Sequence, residues 1–353
     1  MSRDRLSLAM MIGVPAMQLV LFGYAIQTEV RHLPTIVLDA SRSPESRRFV
    51  QAMLNTGNFD LKGEVADRAE IEKLLGRGDA RAAIVIPPEF QRDLRRGRVA
   101  TAQIIVDAAD PLASSAAING AGLAGAMRSQ ALAAARGSTP AISVAVRPWY
   151  NPTGRSAVYI VPGIIGVLLS MTMIVVASLA LVRERERGTL EQLIVTPISK
   201  TSLMLGKLIP FLLVGYVQIT TVLILGQLFF DVPIRGNLVV LYVVALPFVM
   251  ACLAIGLFIS TAVTTQAQAM QLGLLFLMPN ILLSGFMFPR EAMPAPAQWL
   301  GALLPLTYFL RVLRGVLLKG IGLSTLWPEA LVLVGFSLVL LAISVRRFRK
   351  AVD

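Results

Sequence analysis

The residues with the clearest chemical pattern lie in the charged segment 183–197, RERERGTLEQLIVTP. Its first five residues alternate arginine and glutamate, so they end the apolar run that precedes them. Thr189 and Gln192 have the spacing of a helix capping box, three apolar residues follow on one helical face, and Pro197 ends the helix. A capped amphipathic helix between two apolar runs indicates that another protein docks there. A charge cluster that only stops membrane insertion is the alternative.

Few residues outside this segment could perform catalytic or metal chemistry. The chain has one cysteine, Cys252, inside an apolar run, and one histidine, His32. We predict a buried thiol and a surface imidazole. Asp107 and Asp110 flank an Ala-Ala pair before a proline, a pattern typical of helix capping. Because no metal-ligand spacing or Ser/His/Asp set occurs, the sequence predicts no catalytic residues and no cofactor in this chain.

The sequence also indicates which energy sources this chain does not use by itself. No GxxxxGK[ST] phosphate-binding loop occurs, and Lys207 follows only a lone glycine. The apolar runs carry amides rather than carboxylates at depth, namely Gln18, Gln218, Gln227, Gln271 and Asn280. Ion-coupled carriers use intramembrane carboxylates or unwound ion sites, so energy from a separate protein is favoured. We expect Gln218 and Gln227 to bond between helices, with substrate contact as the alternative.

The composition is that of an integral membrane protein with a soluble part. Of the 353 residues, 55% are hydrophobic and 15% are charged, whereas soluble domains carry roughly 25% charged residues. The net charge is +12, yet no basic stripe with interleaved aromatic residues occurs. The sequence therefore predicts contact with a lipid membrane and no binding of nucleic acid.

Six apolar runs are long enough to cross about 30 Å of hydrocarbon as helices. They are residues 6–26, 157–182, 203–230, 238–262, 266–288 and 326–346. Arg3 and Arg5 precede the first run, and RRFRK follows the last, so the positive-inside rule places both termini in the cytoplasm. A cleaved signal peptide is the alternative for the first run, but its apolar core is too long.

Residues 28–155 have a different character, because short apolar runs rich in β-branched residues alternate with helical patterns. The predicted strands are 35–39, 59–65, 81–87, 102–107 and 142–150, and the predicted helices are 43–56, 67–76, 89–96 and 111–136. This alternation predicts an α/β layer fold with a partly parallel sheet. The fold class is therefore an α-helical polytopic membrane protein with six transmembrane helices and an α/β extracytoplasmic domain inserted between helices 1 and 2. Its parts are 1–27, 28–155 and 156–353.

The apolar segment 297–320 does not fit a seventh span, because it contains Arg311 and Arg314. Two arginines in hydrocarbon would cost several kcal/mol, and a seventh span would move RRFRK to the outer side. We predict outer re-entrant helices over 284–320, broken at the SGFMFP turn of 284–289 and at nearby prolines. The two arginines either anchor at lipid headgroups or act in a gate.

Three stretches carry a family resemblance: RERERGTLEQLIVTPIS at 183–199, LLSGFMFPREAMP at 282–294 and LPLTYFLRVLRG at 304–315. With one span, a large α/β domain and five further spans, they resemble the ABC-2 type transporter permeases. The resemblance is closest to the bacterial multidrug-exporter branch with a large periplasmic domain. It covers nearly the whole chain and is weakest in the α/β domain.

The resemblance implies a non-catalytic permease subunit that exports drug-like or amphipathic molecules across the bacterial inner membrane. A separate ABC ATPase subunit would bind ATP and Mg and contact a coupling helix at 184–197. The coupling residues would be Glu184, Glu186, Gly188, Thr189, Leu190, Leu193 and Pro197. The outer gate would contain Ser284, Gly285, Pro289, Pro294, Pro305, Arg311 and Arg314.

The resemblance also implies partners. A second permease copy or a paralogue would complete a dimer, and the branch is compatible with a periplasmic adaptor protein. Two other classes remain open from the residues alone. They are a membrane-anchored receptor or scaffold with a periplasmic sensing domain, and an ion-coupled secondary transporter.

The start of the chain departs from the family pattern. Family members carry an amphipathic interfacial helix before the first span, whereas only MSRDR precedes it here. We hypothesise that the native start lies upstream of Met1. N-terminal sequencing of the native protein should then give residues that precede Met1, and a native start at Met1 would refute the hypothesis.

Overall fold

The computed structural model describes residues 32–136, 142–152, 155–188, 200–290 and 293–347. These residues belong to two compact units. The first is an α/β unit that ends at Tyr159, and the second is a helical unit formed by Ile160–Arg290 and the chain from Pro294 onward. The predicted first span, 6–26, lies outside the described residues.

A five-stranded mixed sheet organises the α/β unit. Its strands are β1 (Leu33–Asp39), β2 (Phe59–Glu64), β3 (Ala82–Ile86), β4 (Ala100–Asp107) and β5 (Ile142–Trp149), in the order β2-β1-β3-β4-β5. Strand β1 runs parallel to β2 and β3, β5 runs parallel to β4, and β3 and β4 are antiparallel. The predicted strands and the partly parallel sheet are confirmed.

Side chains fix the helix ends of this unit. The helices are α1 (Pro44–Leu54), α2 (Arg68–Arg77), α3 (Phe90–Arg95) and α4 (Pro111–Arg136). Ser43 and Ser46 form a reciprocal capping box at the start of α1. The Asp67 carboxylate accepts the Glu70 backbone N–H at 2.8 Å at the start of α2. Gly78 ends α2 with a φ of +81°, a conformation that favours glycine.

Both faces of the sheet are buried by helices. Ile84 on β3 belongs to a core that includes Phe49 of α1 and Phe90 of α3, whose ring centroids lie 5.7 Å apart. The neighbouring residue Ala83 points to the opposite face, where it packs with Ile71 of α2. This alternation follows from the two-residue period of a strand, and it explains why β3 is almost wholly apolar.

The helical unit contains long apolar helices. It includes α5 (Ser156–Glu186), α6 (Lys200–Phe230), α7 (Leu238–Ala262), α8 (Gln266–Leu283), α9 (Ala295–Ala302), α10 (Pro305–Arg314) and α11 (Leu323–Arg347). Among the described residues, spans within α5, α6, α7 and α11 are long and apolar enough to cross a membrane. The pair α9 and α10 passes the same test only together, and it is bent by 87°. A polytopic membrane protein is therefore confirmed.

Close contacts fix α7 between its neighbours. A Cβ atom at Gly256 would lie 2.5 Å from the carbonyl oxygen of Ile174 on α5, so only glycine allows this approach. The Ser344 hydroxyl on α11 donates to the Ala254 carbonyl at 2.9 Å. The ring of Phe248 stacks on a phenylalanine ring of α10 with a centroid distance of 4.0 Å. The predicted buried thiol, Cys252, also lies in α7 and is buried.

We expect Gly256→Ala to lower the melting temperature of the purified protein, because the added methyl group overlaps the backbone of α5. Overpacking of this kind costs about 1–3 kcal/mol. Gly335→Ala on α11 is the matched control, since no heavy atom lies within 4 Å of its added Cβ. Thermal unfolding in detergent, followed by tryptophan fluorescence, measures both. Equal melting temperatures for the two variants would contradict the close contact.

Candidate functional site

The first candidate site lies at the C-terminal end of α5. Gly188 adopts a φ of +70° just after the helix, a left-handed conformation in which helices commonly end. The Arg185 guanidinium donates to the carbonyl oxygen of Val263 at 2.9 Å. The Glu186 carboxylate accepts the backbone N–H of Gln266 at 2.8 Å and also binds the Gln266 side-chain amide. We call Arg185, Glu186, Val263 and Gln266 the helix-end cluster.

The helix-end cluster caps the start of α8. Thr265 is the N-cap residue of α8, and its hydroxyl accepts the Gln268 backbone N–H at 3.3 Å. The Gln268 amide oxygen accepts the backbone N–H of Thr264 at 3.1 Å, so two polar side chains order this turn. Glu186 adds a carboxylate to an unpaired N–H at the positive end of the helix dipole. The end of α5 is therefore bonded directly to the start of α8.

The structure describes only the first part of the predicted coupling segment, up to Gly188. Glu184 is half-buried in the last turn of α5, and Glu186 forms the contacts with Gln266. The other predicted coupling residues, Thr189, Leu190, Leu193 and Pro197, lie outside the described residues. Sequence reasoning assigned Gln266 to a helix start, which is confirmed, but missed its contact with Glu186. The Thr265-x-x-Gln268 spacing, a capping pattern, indicates the start of the helix but not this contact.

The second candidate site is the turn that follows α8. Gly285 has a φ of +88°, and a Cβ atom there would also lie 3.1 Å from Cγ of Arg290. The Arg314 guanidinium, from the end of α10, donates to the carbonyl oxygens of Gly285 at 3.0 Å and Phe286 at 3.4 Å. We call Gly285, Phe286 and Arg314 the braced turn. The predicted span 266–288 is therefore too long, because this turn ends α8 at Leu283.

Further hydrogen bonds hold α8, α9 and α10 together. Arg290 Nη2 donates to the Gln298 carbonyl at 2.6 Å, which ties the turn to α9. The Thr307 hydroxyl of α10 donates to the carbonyl oxygen of Gly301 at 2.5 Å. Gly301 in turn lies so close to the carbonyl of Leu283 that it has no room for a side chain. The segment predicted as re-entrant is thus a pair of short helices packed against the end of α8.

The predicted gate residues do not all share one environment. Ser284 is buried, and its hydroxyl has no hydrogen-bond partner among the described residues. Pro289 and Pro305 are also buried, and Pro294 immediately precedes α9. Arg311 is separate, because its side chain is 51% exposed and lies 3.8 Å from a carboxylate oxygen of α11.

The carboxylate that faces Arg311 belongs to Glu329, which sequence reasoning did not select. Its side chain is 19% exposed and lies near the start of α11. The available signal was a carboxylate directly after Pro328 at the start of an apolar run. Gln218 was predicted to bond between helices, and its side-chain amide does donate to the Thr172 hydroxyl of α5 at 3.2 Å.

Helix α5 connects the two candidate sites. The Phe286 ring of the braced turn packs directly on Gly163 of α5, where no Cβ could be accommodated. The helix-end cluster contains Glu186, the last residue of the same helix. The segment from Gly163 to Glu186 spans about 35 Å at 1.5 Å per residue, roughly the thickness of a bilayer core. One helix therefore contacts both sites, at opposite ends.

The sequence family described as ABC-2 family transporter protein matches residues 5–346. Because the match covers nearly the whole chain, the protein belongs to this family. It is a multi-pass membrane permease, the transport component of an ABC transporter. The resemblance drawn from segments 183–199, 282–294 and 304–315 is confirmed.

The chain is similar in sequence to named bacterial permeases over most of their length. The chain is 31% identical over 327 residues to the inner membrane transport permease YhhJ of Escherichia coli strain K12, which covers 90% of this chain and 86% of the relative. It is 29% identical over 356 residues to the E. coli "Probable multidrug ABC transporter permease YbhS", covering 99% of this chain and 94% of that protein. It is also 29% identical over 325 residues to the E. coli "Probable multidrug ABC transporter permease YbhR", covering 92% of this chain and 88% of that protein.

We expect Arg314→Gln to destabilise the braced turn and Arg311→Gln to have little effect. Arg314 donates two hydrogen bonds to backbone carbonyls, and bonds of this charged kind contribute about 1.5–3 kcal/mol each. Arg311 is half-exposed and its ion pair with Glu329 is long, at 3.8 Å, so we expect it to contribute only about 0–1 kcal/mol. The melting temperature and transport activity of each variant in lipid nanodiscs measure the difference. A larger loss in Arg311→Gln would show that Arg311, not Arg314, has the structural role.

Proposed function

We propose that this permease exports drug-like or amphipathic molecules across the bacterial inner membrane, driven by a separate ABC ATPase subunit that binds ATP and Mg. The observation that carries the proposal is the connection along α5. One end of this helix is bonded to the start of α8 through the helix-end cluster, and the other end packs on the braced turn. The names of YbhS and YhhJ support the substrate class and the membrane.

The proposed topology has six transmembrane helices with both termini in the cytoplasm. The first is residues 6–26, and α5, α6, α7, α8 and α11 supply the rest. The α/β unit then lies in the periplasm, inserted between helices 1 and 2. The basic segment RRFRK supports a cytoplasmic C-terminus. In this arrangement the helix-end cluster faces the cytoplasm, and the braced turn lies near the outer surface.

The proposed cycle begins at the coupling helix, residues 184–197. ATP binding in the docked ATPase moves this segment, and Arg185 and Glu186 transmit the movement to the start of α8. Since α8 ends in the braced turn, the same movement alters the packing of α9 and α10 at the outer end. The helical unit then changes between inward-open and outward-open states.

The proposed assembly contains two permease chains, identical or paralogous, and their ATPase subunits. A second permease supplies the opposite wall of the pathway. A periplasmic adaptor would receive substrate from the α/β unit. Co-purification of the full chain with an ABC ATPase from its native membrane tests the assembly, and a permease that never retains an ATPase would contradict it.

We expect Glu186→Arg and Leu193→Asp to abolish substrate-stimulated ATP hydrolysis by the complex in lipid nanodiscs. The first places a positive charge against the N-terminus of α8, where the helix dipole is also positive. The second places a charge on the apolar face of the predicted coupling helix. Membrane insertion should be unchanged, because neither residue lies in the centre of a span.

Glu72→Arg is the control for the first substitution, because it makes the same charge change at an exposed position of α2. The complex that contains Glu72→Arg should show the same substrate-stimulated ATP hydrolysis as the wild-type complex. Full stimulation in Leu193→Asp would contradict docking through residues 184–197. Full stimulation in Glu186→Arg alone would restrict the coupling surface to the segment after Gly188.

A further inference from the structure

The α/β unit has a basic cavity that the proposed transport cycle does not use. It is shallow, with a volume of about 370 Å³. It is lined by Ser41, Pro88, Gln91, Arg92, Arg95 and Arg96. We call these six residues the arginine pocket. Half of the lining side chains are guanidinium groups, and no lining residue is acidic.

The position of the arginine pocket in the sheet is one at which α/β folds bind ligands. Ser41 follows Asp39, the last residue of β1, and Pro88 follows Ile86, the last residue of β3. Strands β1 and β3 are parallel neighbours, so their carboxyl ends lie at the same edge. The chain continues from β1 to β2 on one side and from β3 to β4 on the other. Open sheets bind ligands outside the carboxyl ends of strands where connections diverge in this way.

One wall of the pocket is held in a defined conformation. The Asp39 carboxylate accepts the backbone N–H groups of Ser41 and Arg42, each at 3.0 Å, and the Ser46 hydroxyl at 2.6 Å. The Ser41 hydroxyl donates to the hydroxyl oxygen of Ser43 at 2.9 Å. Arg42 has a φ of +45°, an unfavourable value for a residue with a side chain. Strained residues of this kind cluster at functional sites, where the surrounding bonds maintain them.

The other wall keeps an excess of positive charge. The three lining arginines are exposed, and the nearest acidic contact joins Arg92 to Asp93 at a long distance of 3.9 Å. When the Gln91 amide oxygen faces Arg95, it accepts from the guanidinium at 2.7 Å, which orients Arg95 without neutralising it. Glu89 is also exposed nearby but does not line the cavity. Guanidinium groups offer planar pairs of donors that match the oxygens of phosphate and carboxylate.

We propose that the arginine pocket binds an oxyanion, with a phosphate group as the best match for three convergent guanidinium groups. The phosphate could belong to a soluble molecule or to a lipid headgroup, because both present the same oxygens. This inference goes beyond the proposed export function and does not depend on ATP hydrolysis. It assigns the α/β unit a ligand chemistry of its own.

Equilibrium dialysis of radioactive inorganic phosphate against the full chain, held in phosphatidylcholine nanodiscs, tests the site. We expect saturable binding of one phosphate per chain. Combined Arg92→Gln, Arg95→Gln and Arg96→Gln should weaken it by at least about tenfold, since the charged donors are lost. The matched control combines Lys62→Gln, Lys73→Gln and Arg77→Gln, exposed cations on β2 and α2. It makes the same change in net charge and should weaken binding less than about twofold.

A second measurement identifies the source of the phosphate. Nanodiscs that contain the chain are mixed with free vesicles of phosphatidylcholine, with or without phosphatidylglycerol, and vesicle capture is measured. If only the vesicles with phosphatidylglycerol are captured, and the triple arginine variant no longer captures them, the bound phosphate belongs to a lipid headgroup. Phosphate binding without capture assigns a soluble ligand. Absence of saturable phosphate binding, or an equal loss in the lysine and arginine control, would overturn the proposal.

Discussion

The backbone groups that helices leave unpaired must find partners in a chain that crosses a membrane, because hydrocarbon offers none. In this protein, long polar side chains from other helices supply several of those partners. Glu186 of α5 binds the backbone N–H of Gln266 at the start of α8. Arg314 of α10 binds the carbonyls of Gly285 and Phe286 in the turn that follows the same helix. These two breaks in the helical unit are therefore also connections between helices.

These connections hold only while the helices keep their relative positions. Hydrogen bonds from charged groups are roughly twice as strong as neutral ones, but they depend on geometry. A shift of the Glu186 carboxylate by a few ångströms would remove the bond to Gln266 and leave that N–H to solvent. The structure therefore favours movement of α5 and α8 as one body. Backbone contact at Gly256 extends this body to α7.

Most elements of the α/β unit could be predicted from the sequence, because each strand and helix has one face in a core. The strand expected at 102–107 begins at Ala100, two residues earlier, since Ala100 is also buried. The pairings between distant residues could not be predicted. Glu186 and Gln266 are 80 residues apart, and no local pattern indicates that α5 ends beside α8. The fold brings such residues together only through packing of the apolar helices between them.

The two arginines of α10 show why residue type and spacing were insufficient to predict the contacts of the braced turn. Arg311 and Arg314 lie three residues apart, and both interrupt an apolar segment. Arg314 is half-buried and donates to two carbonyls of the turn that follows α8, whereas Arg311 is exposed and faces Glu329. The difference arises from the position of the neighbouring turn, which depends on the left-handed conformation of Gly285. An arginine in such a segment is therefore tolerated where a broken helix supplies carbonyl oxygens for it to bind.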